Sequence, residues 1–244
     1  KIYDGIRNGK KYSDFAVLYR MNSQSNKIEQ SFVRMGIPYR LIGGHKFYDR
    51  KEIKDALAYL SVLANPNDSV RLQRIINVPK RGIGDSSVAA AQEIADGLGI
   101  GLFEIIKSAD QFPRLSRCSK KMLEFATMIQ DFIDELENVD LAELFKRVMN
   151  VSGYIESLSL EPETKEDRKA NLDELANNLM RFSKDNEEAT LNDFLQEVAL
   201  MTDIDNYNAG ADTVVMMTIH SAKGLEFPVV FLAGMEETIF PSTM

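Results

Sequence analysis

The sequence predicts two fold classes in one chain: a parallel α/β sheet domain, and a large all-α insertion that interrupts it. Two apolar runs, at 14–20 and 37–42, flank a helical pattern near the start of the chain. Helical patterns then occupy almost everything from residue 51 to about residue 201, and two more apolar runs follow. Alternating strands and helices are typical of parallel sheets, and an abrupt change of pattern indicates an inserted domain. A single mixed α+β domain is the alternative.

The opening of the chain has the pattern of a strand, a helix and a second strand. The first strand, "DFAVLYR", is rich in the apolar and aromatic residues that sheets favour. In the helix predicted over 24–36, Ile28 and Phe32 lie on one face, and Gly36 suits the position just past the helix end. "IPYRLI" then completes a β-α-β unit, which predicts parallel strands.

Several amphipathic helices are predicted within the insertion. The segments 52–65 and 120–136 each place apolar side chains on one helix face. Asp140 and Glu143 have the spacing of a capping box, and Thr190 is predicted to cap a later helix.

Two segments of the insertion are predicted to lack helical structure, a charged loop at 157–169 and a polar linker at 202–212. Beyond the linker, "TVVMMTIH" and "FPVVFLAG" are continuous apolar runs, typical of strands that are buried on both faces. We therefore place the first part of the α/β domain at 1–42, the insertion at 43–211 and the return at 212–244.

Composition is that of an ordinary globular protein, with 44% hydrophobic and 27% charged residues among 244. No apolar run approaches the ~18–20 residues of a membrane span, and the start of the chain lacks the apolar segment of a signal peptide. One cysteine fits a reducing cytoplasm, and two histidines with one cysteine argue against a zinc site. The missing initiator Met predicts a piece cut from a longer protein.

Charge is unevenly distributed along the chain. The net charge of −8 argues mildly against a simple polyanion binder. Between 46 and 81, however, eight basic residues face four acidic ones, and this basic segment includes Arg71, Arg74, Lys80 and Arg81. Between 131 and 188, sixteen acidic residues face seven basic ones, which predicts solvated helix faces. Nucleic acid responds to a local patch more than to the total charge.

The first candidate for chemistry is the turn that begins "NVPKRGIGDSSVAAAQEIADGLG", residues 77–99. Gly82 and Gly84 let the backbone come close to another molecule, and free N–H groups at a helix start attract anions. Helix-hairpin-helix elements hold a DNA phosphate in this way without reading bases. Lys80 and Arg81 add mobile positive charge. An ordinary turn between two helices is the alternative.

The second candidate is the polar loop between the two late strands, "HSAKGLE" at 220–226. It is not a Walker A loop, and no G-x-S-x-G elbow occurs in the chain, which argues against a hydrolytic triad. The loop does place an imidazole, a hydroxyl and backbone N–H groups at a strand's carboxyl end, where open α/β sheets bind ligands. Glu226 is predicted to open the next strand and to accept from a sugar hydroxyl. Alternatively, His220 and Lys223 are ordinary solvated loop residues.

The third candidate follows the first strand, where Arg20, Asn22, Gln24 and Ser25 stand at its carboxyl end. If the first strand and "TVVMMTIH" belong to one parallel sheet, both loops lie on the same rim. The alternative is a strand-to-helix turn with ordinary capping.

Four segments carry a resemblance to a known family. "TIHSAKGLEFPVVFLAGMEETIFPS" resembles motif V, with the residues after it, of superfamily 1 DNA helicases of the UvrD/PcrA/Rep group, and most of all of its PcrA branch. "FAVLYRMNSQS", "IPYRLIGGHKFYDRKEIKDALAYL" and "INVPKRGIG" match further family segments in order. The resemblance covers essentially the whole chain. It implies that 1–42 and 212–244 belong to a RecA-like domain of the P-loop NTPase type, called 2A, and that the helices between them form the inserted domain 2B.

The resemblance also implies roles in binding single-stranded DNA. His220 would contact the single-stranded DNA, with Thr218 and Ser221 near its phosphate backbone. Arg20 and Asn22 would lie on the same DNA-binding rim.

Other positions would serve the nucleotide and the duplex. Glu226, with Gly224 beside it, would lie at the ATP site near the ribose, so that loop 220–226 couples DNA to nucleotide. The residues that would touch the duplex backbone ahead of the fork are Lys80, Arg81, Gly82, Ile83 and Gly84. Asn26 departs from the family pattern, because relatives usually carry Arg after "QS", and this removes one DNA or structural contact.

The parent protein implied by the resemblance is an ATP-dependent 3′→5′ DNA helicase and translocase of DNA repair and replication, in the bacterial cytoplasm. Walker A, the acidic Walker B-type motif and motif VI are absent from the sequence, and phosphoryl transfer needs them. We therefore predict that this chain alone neither hydrolyses ATP nor unwinds DNA, and binds neither ATP nor Mg²⁺ by itself.

The expected partners are a single-strand/duplex DNA junction, the missing helicase domains 1A and 1B, and RNA polymerase or repair proteins, with no membrane. A non-catalytic DNA-binding or protein-docking regulatory module is the alternative, and an autonomous hydrolase that uses His220 is a remote third.

Overall fold

Four parallel strands form the sheet of this computed structural model, which describes residues 1–136, 139–160, 162–185, 190–207 and 212–235. In chain order they are β1 (Phe15–Tyr19), β2 (Tyr39–Ile42), β3 (Val214–Thr218) and β4 (Val229–Leu232). They lie side by side in the order β2-β3-β1-β4, and all neighbours are parallel. The predicted parallel β-α-β unit is present, but β3 lies between its two strands.

Strand β3 is the most buried of the four. Its first four residues, from Val214 to Met217, are buried, and Thr218 at its end is half-buried. Its register with β1 pairs Ala16 with Val215 and Tyr19 with Thr218. The two strands therefore finish at the same edge of the sheet.

Strand β4 corrects the expectation of burial on both faces. It pairs with β1 alone in the described sheet, and its side chains alternate between half-buried and exposed. Val230 and Leu232 are 46% and 51% exposed, whereas Phe231 stacks on Phe15 with ring centroids 6.2 Å apart. A continuous apolar sequence does not distinguish an edge strand from a central strand, because both can have the same apolar composition.

Two helices accompany the sheet, α1 (Ile2–Arg7) and α2 (Ser25–Arg34). Phe32 of α2 packs edge-on against Tyr39 with ring centroids 5.8 Å apart, inside the cluster that the strands bury. Gly36 follows the helix with a φ of 62°, as predicted for a residue just past a helix end.

Beyond Arg50 the described chain is mainly helical as far as Tyr207. The helices of this stretch are α3 (Lys51–Ala64), α4 (Ser69–Ile75), α5 (Asp85–Leu98), α6 (Leu102–Lys107), α7 (Ser119–Glu135), α8 (Leu141–Val151), α9 (Tyr154–Ser157), α10 (Pro162–Asp185) and α11 (Leu191–Tyr207). Short 3-10 turns lie at Tyr12–Asp14, Asn22–Gln24, Phe47–Asp49, Ala109–Gln111, Pro113–Leu115 and Leu158–Leu160. Asp140 and Thr190 are confirmed as N-cap residues. The Asp140 carboxylate accepts from the N–H groups of Ala142 and Glu143, and the Thr190 hydroxyl accepts from the N–H of Asp193.

Two segments predicted as loops are largely helical. The stretch 157–169 contains the end of α9, a 3-10 turn and the start of α10 at Pro162. Proline suits the first turn of a helix, and the Glu, Lys and Arg residues that follow it are good helix formers, so the charge reflects a solvated helix and not a loop. The predicted linker at 202–212 is helical as far as Tyr207, and residues 208–211 lie outside the described part.

The chain divides into two units, Lys1–Arg50 with Gln196–Met244, and Lys51–Leu195. The sequence placed these divisions at 42/43 and 211/212. Residues 43–50 belong with the sheet because a buried polar network holds them there.

The centre of this network is the carboxylate of Glu29. It accepts from the Phe47 N–H at 3.1 Å, from the Tyr39 hydroxyl at 3.3 Å and from the Ser25 hydroxyl. The guanidinium of Arg50 lies 3.9 Å from it, and both side chains are less than a tenth exposed. Nearby, burial raises the pKa of the Tyr19 hydroxyl, with the Glu29 charge as a second cause, so this phenol stays protonated.

Replacing Glu29 by Gln is expected to lower the free energy of unfolding by about 3 kcal/mol, because the buried Arg50 guanidinium then loses the negative charge of Glu29. Urea unfolding followed by circular dichroism measures this. The matched control is Glu197→Gln, which removes the exposed ion pair with Arg34 and should cost less than about 1 kcal/mol. Equal losses in the two variants would contradict a stabilising role for the buried pair.

Candidate functional site

The carboxyl edge of β1 and β3 brings together two residues that are 200 positions apart. Nη1 of Arg20 lies 3.0 Å from Nε2 and 3.1 Å from Nδ1 of the His220 ring. The pairing of Tyr19 with Thr218 produces this contact, since each strand ends one or two residues earlier. The shared rim predicted for the two loops is therefore present, with a guanidinium and an imidazole side by side at its surface.

Beside this pair, the loop after β3 folds back on itself. The hydroxyls of Thr218 and Ser221 lie 2.9 Å apart, and the Ser221 N–H donates to Thr218 Oγ1 at 3.2 Å. The Ala222 N–H donates to the Thr218 carbonyl at 3.2 Å, which closes a tight turn. Gly43, with a φ of 75°, lies so close that a Cβ there would come within 2.8 Å of Ser221 Oγ. Two hydroxyls and a glycine backbone thus form one polar surface.

The loop after β1 is held by its own side chains. Gln24 Oε1 accepts from the N–H groups of Arg20 and Met21, at 2.9 and 3.0 Å. The Asn22 carbonyl accepts from Arg50 Nη2 at 3.0 Å, so the network around Glu29 also supports this loop. Sequence patterns marked Asn22 and Gln24 as rim residues, but they gave no sign that Arg50 would support them.

The remaining residues of the late loop are open to solvent. Gly224 has a φ of 82° and a free approach at its Cα, and Glu226 is exposed. The prediction that Glu226 opens the next strand is wrong, since β4 begins at Val229. Pro228 supplies no N–H for a sheet, so the strand starts just after it. Glu226 consequently has the freedom of a loop residue, six positions after His220.

The second candidate surface lies in the helical unit, in the turn between α4 and α5. The expectation that Arg81 carries mobile charge is wrong, because its guanidinium is bound by protein acceptors. Nη1 donates to the carbonyls of Ile75, Ile76 and Pro79 at 3.1, 3.4 and 3.2 Å. Nη2 donates to the Tyr59 hydroxyl at 2.7 Å and to the Ser152 carbonyl at 3.0 Å. Burial raises the pKa of the Tyr59 phenol, which therefore stays protonated beside Arg81.

The backbone of this turn is fixed from beneath by Asn77. Its Oδ1 accepts from the N–H groups of Arg81 and Ile83, at 2.8 and 3.3 Å. The Ile83 side chain is fully buried. Gly82, with a φ of 71°, and Gly84, just before α5, are left exposed on the outer side.

The basic patch around the turn is smaller than the sequence suggested. Arg74 is committed to the buried Asp55 carboxylate, with its Nη2 at 2.7 Å. Lys80 and Arg71 are exposed, and Lys121 of α7 reaches the Gly82 carbonyl at 3.5 Å. Lys121 was missed because it is 39 residues away and nothing in the local sequence connects it to the turn.

Two kinds of site are not found in the part of the chain that the structure describes. None of its helices combines the length and apolarity needed to cross a membrane. Within the same residues, no three His, Cys, Asp or Glu side chains gather as a metal ion would require.

Comparisons with known proteins agree with this picture. The family model of the UvrD-like helicase C-terminal domain matches residues 1–244. An ATP-dependent DNA helicase PcrA of Staphylococcus epidermidis is 46% identical over 245 residues, which cover 96% of this chain and 32% of the relative. PcrA of Staphylococcus aureus is 47% identical over 246 residues, with the same shares. The chain thus spans about a third of the length of these curated relatives.

Substituting Gly43 by Ala is expected to lower the free energy of unfolding by about 1–2 kcal/mol, because a side chain at positive φ is strained. The new methyl group would also push Ser221 away from Thr218. Denaturant unfolding measures the loss. Gly44→Ala in the same turn is the control and should be close to neutral, since its Cβ would meet only Asn22 Oδ1 at 3.6 Å. Similar losses in both variants would show that the close approach to Ser221 is unimportant.

Proposed function

Because this chain belongs to the UvrD-like helicase C-terminal domain family, we propose that it supplies the DNA-contacting and nucleotide-coupling part of an ATP-dependent 3′→5′ DNA helicase and translocase. The match of the family model along the whole chain carries this proposal. Lys1–Arg50 with Gln196–Met244 would be the RecA-like domain 2A, and Lys51–Leu195 the inserted domain 2B. The parent protein would act in DNA repair and replication in the bacterial cytoplasm.

Single-stranded DNA would bind at the rim formed by Arg20 and His220. Both side chains end in planar groups, which stack on bases without regard to sequence. The Thr218 and Ser221 hydroxyls beside them are suited to donate to phosphate oxygens, and Asn22 lies in the adjoining turn. The contact between Arg20 and His220 supports this role, because it presents the two groups as one surface.

Nucleotide coupling would pass through the loop from His220 to Glu226. Six positions separate the imidazole from the carboxylate, and two turns order the backbone between them, with the Lys223 N–H donating to the His220 carbonyl at 3.4 Å and the Leu225 N–H to the Ala222 carbonyl at 3.0 Å. Glu226 would accept from the ribose of ATP, with the exposed backbone of Gly224 beside it. A displacement of Glu226 would thereby move His220, and a displacement of His220 would move Glu226.

Duplex DNA would be held by the turn between α4 and α5. The exposed backbone at Gly82 and Gly84 allows a phosphate to come close, and the Lys80 ammonium supplies charge without base recognition. Ile83 would contribute from inside, by fixing the turn through its buried side chain.

ATP and Mg²⁺ would be bound by the complete parent protein. Phosphoryl transfer requires a phosphate-binding Lys, Mg²⁺ ligands and arginine fingers, and this sequence contains neither a Walker A loop nor motif VI. By itself the chain would therefore neither hydrolyse ATP nor unwind DNA. Its partners would be a single-strand/duplex junction, the helicase domains 1A and 1B, and RNA polymerase or repair proteins.

His220→Ala and Arg20→Ala are each expected to weaken binding of a labelled oligothymidylate to this chain by about tenfold, through loss of stacking. Fluorescence anisotropy measures the affinity. The double variant should lose less than the product of the two single losses, because the side chains touch. Lys10→Ala is the control for loss of charge, since Lys10 precedes β1 at the opposite edge of the sheet. A Lys10 effect as large as that of Arg20 would indicate non-specific binding and contradict the proposed rim.

The chain should also bind a labelled 3′-tailed duplex saturably, with a steep dependence on salt. Gly82→Asp together with Gly84→Asp is expected to weaken this binding by at least tenfold, because two carboxylates add negative charge beside the phosphates and a side chain at Gly82, with its φ of 71°, strains the turn. Anisotropy titrations at several salt concentrations measure both quantities. Absence of duplex binding at low salt, with single-strand binding intact, would contradict the duplex role and favour a regulatory module that docks proteins.

A further inference from the structure

Arg81 is the most heavily bonded side chain of the turn between α4 and α5. We propose that Arg81 is a positioning residue, which shapes the turn so that Lys80 and the backbone of Gly82 and Gly84 can bind a duplex phosphate, and that it does not bind DNA itself. This inference rests on the proposed duplex contact, and it assigns that contact to other atoms than the arginine charge.

The four Nη hydrogens of the guanidinium are already used. Nη1 and Nη2 together carry four hydrogens, and five protein oxygens lie within 3.4 Å of these two nitrogens. The Phe125 ring lies 5.2 Å from the guanidinium carbon and covers one side of it. A phosphate would have to displace several of these bonds in order to form its own.

The acceptors show what Arg81 holds together. The carbonyls of Ile75 and Ile76 lie at the C-terminal end of α4. The Ser152 carbonyl belongs to the C-cap residue of α8. Helix C-termini carry partial negative charge and leave carbonyls without partners, so one cation serves two helix ends. Tyr59 adds a third helix, α3. Only the delocalised, planar guanidinium offers enough divergent N–H groups for such a set, and a lysine ammonium does not.

The backbone N–H of Arg81 also fixes the turn. The Arg81 N–H donates to Asn77 Oδ1, which also accepts from Ile83, and the Pro79 carbonyl accepts from the Arg81 side chain. The backbone groups on either side of Lys80, the Pro79 carbonyl and the Arg81 N–H, are therefore held in place. What remains exposed is the Lys80 side chain and the glycine backbone, the atoms that suit a phosphate.

The test is the charge-conserving variant Arg81→Lys in duplex titrations with the chain. If Arg81 positions the turn, duplex affinity falls at least tenfold although the charge is kept, and single-strand affinity is unchanged. If Arg81 binds phosphate, lysine replaces it as a point charge and affinity stays within about threefold, which overturns the proposal. Arg114→Lys makes the same exchange at an exposed arginine of the helical unit that lies outside the proposed contact, and as the matched control it should stay within threefold. Lys80→Gln should reduce the salt slope by about one.

Amide hydrogen exchange without DNA separates positioning from general unfolding. In Arg81→Lys, the amides of Arg81 and Ile83 should exchange faster by at least tenfold, while the amides of β1 and β3 are unchanged. Unchanged exchange in the turn would overturn the positioning role. Failure of the unaltered chain to bind duplex would instead remove the proposed duplex contact itself, so the two failures are distinguishable.

Discussion

The parallel pairing of β1 with β3 is the interaction on which the rest of the sheet unit depends. It joins residues about 200 positions apart, and without it Arg20 would not meet His220. The pairing is reinforced at its other end, where the Asp212 carboxylate accepts from the N–H groups of Tyr12 and Ser13. These hydrogen bonds lower the pKa of the Asp212 carboxyl, and the bond from the Ser13 N–H has the largest effect. Closing so long a loop costs entropy, but that cost grows only slowly with length, which makes a large insertion tolerable.

Arg50 and Arg81 each bind backbone carbonyls inside the protein. Arg50 supports the turn at Asn22, and Arg81 supports the turn that ends at Gly84. In both cases a guanidinium binds backbone carbonyls close to a surface proposed to contact DNA. A count of charged residues along the sequence therefore overstates the free positive charge of such surfaces. The planar geometry of the guanidinium explains why these positions hold arginine and not lysine.

The sequence was sufficient for most of the architecture. Periodicity and caps predicted the four strands, their parallel arrangement and most helices, because those signals are local. The start of α10 was missed because solvated charge resembles a loop, and the exposure of β4 because its neighbours decide it. Arg20 and His220 could be placed on one rim by topology alone. The bonds of Arg81 to Tyr59 and Ser152 could not, because tertiary packing decides where a long side chain ends.

The position of β3 late in the chain has a consequence for biosynthesis. The ribosome adds 194 residues between Tyr19 and Val214, which takes roughly 10–40 s at ordinary elongation rates. During that interval β1 lacks both of its neighbours in the sheet, β3 and β4, while the helices of Lys51–Leu195 can already assemble from contacts among themselves. We therefore expect nascent chains to carry an apolar strand without its partners for many seconds, a segment of the kind that chaperones at the ribosome bind.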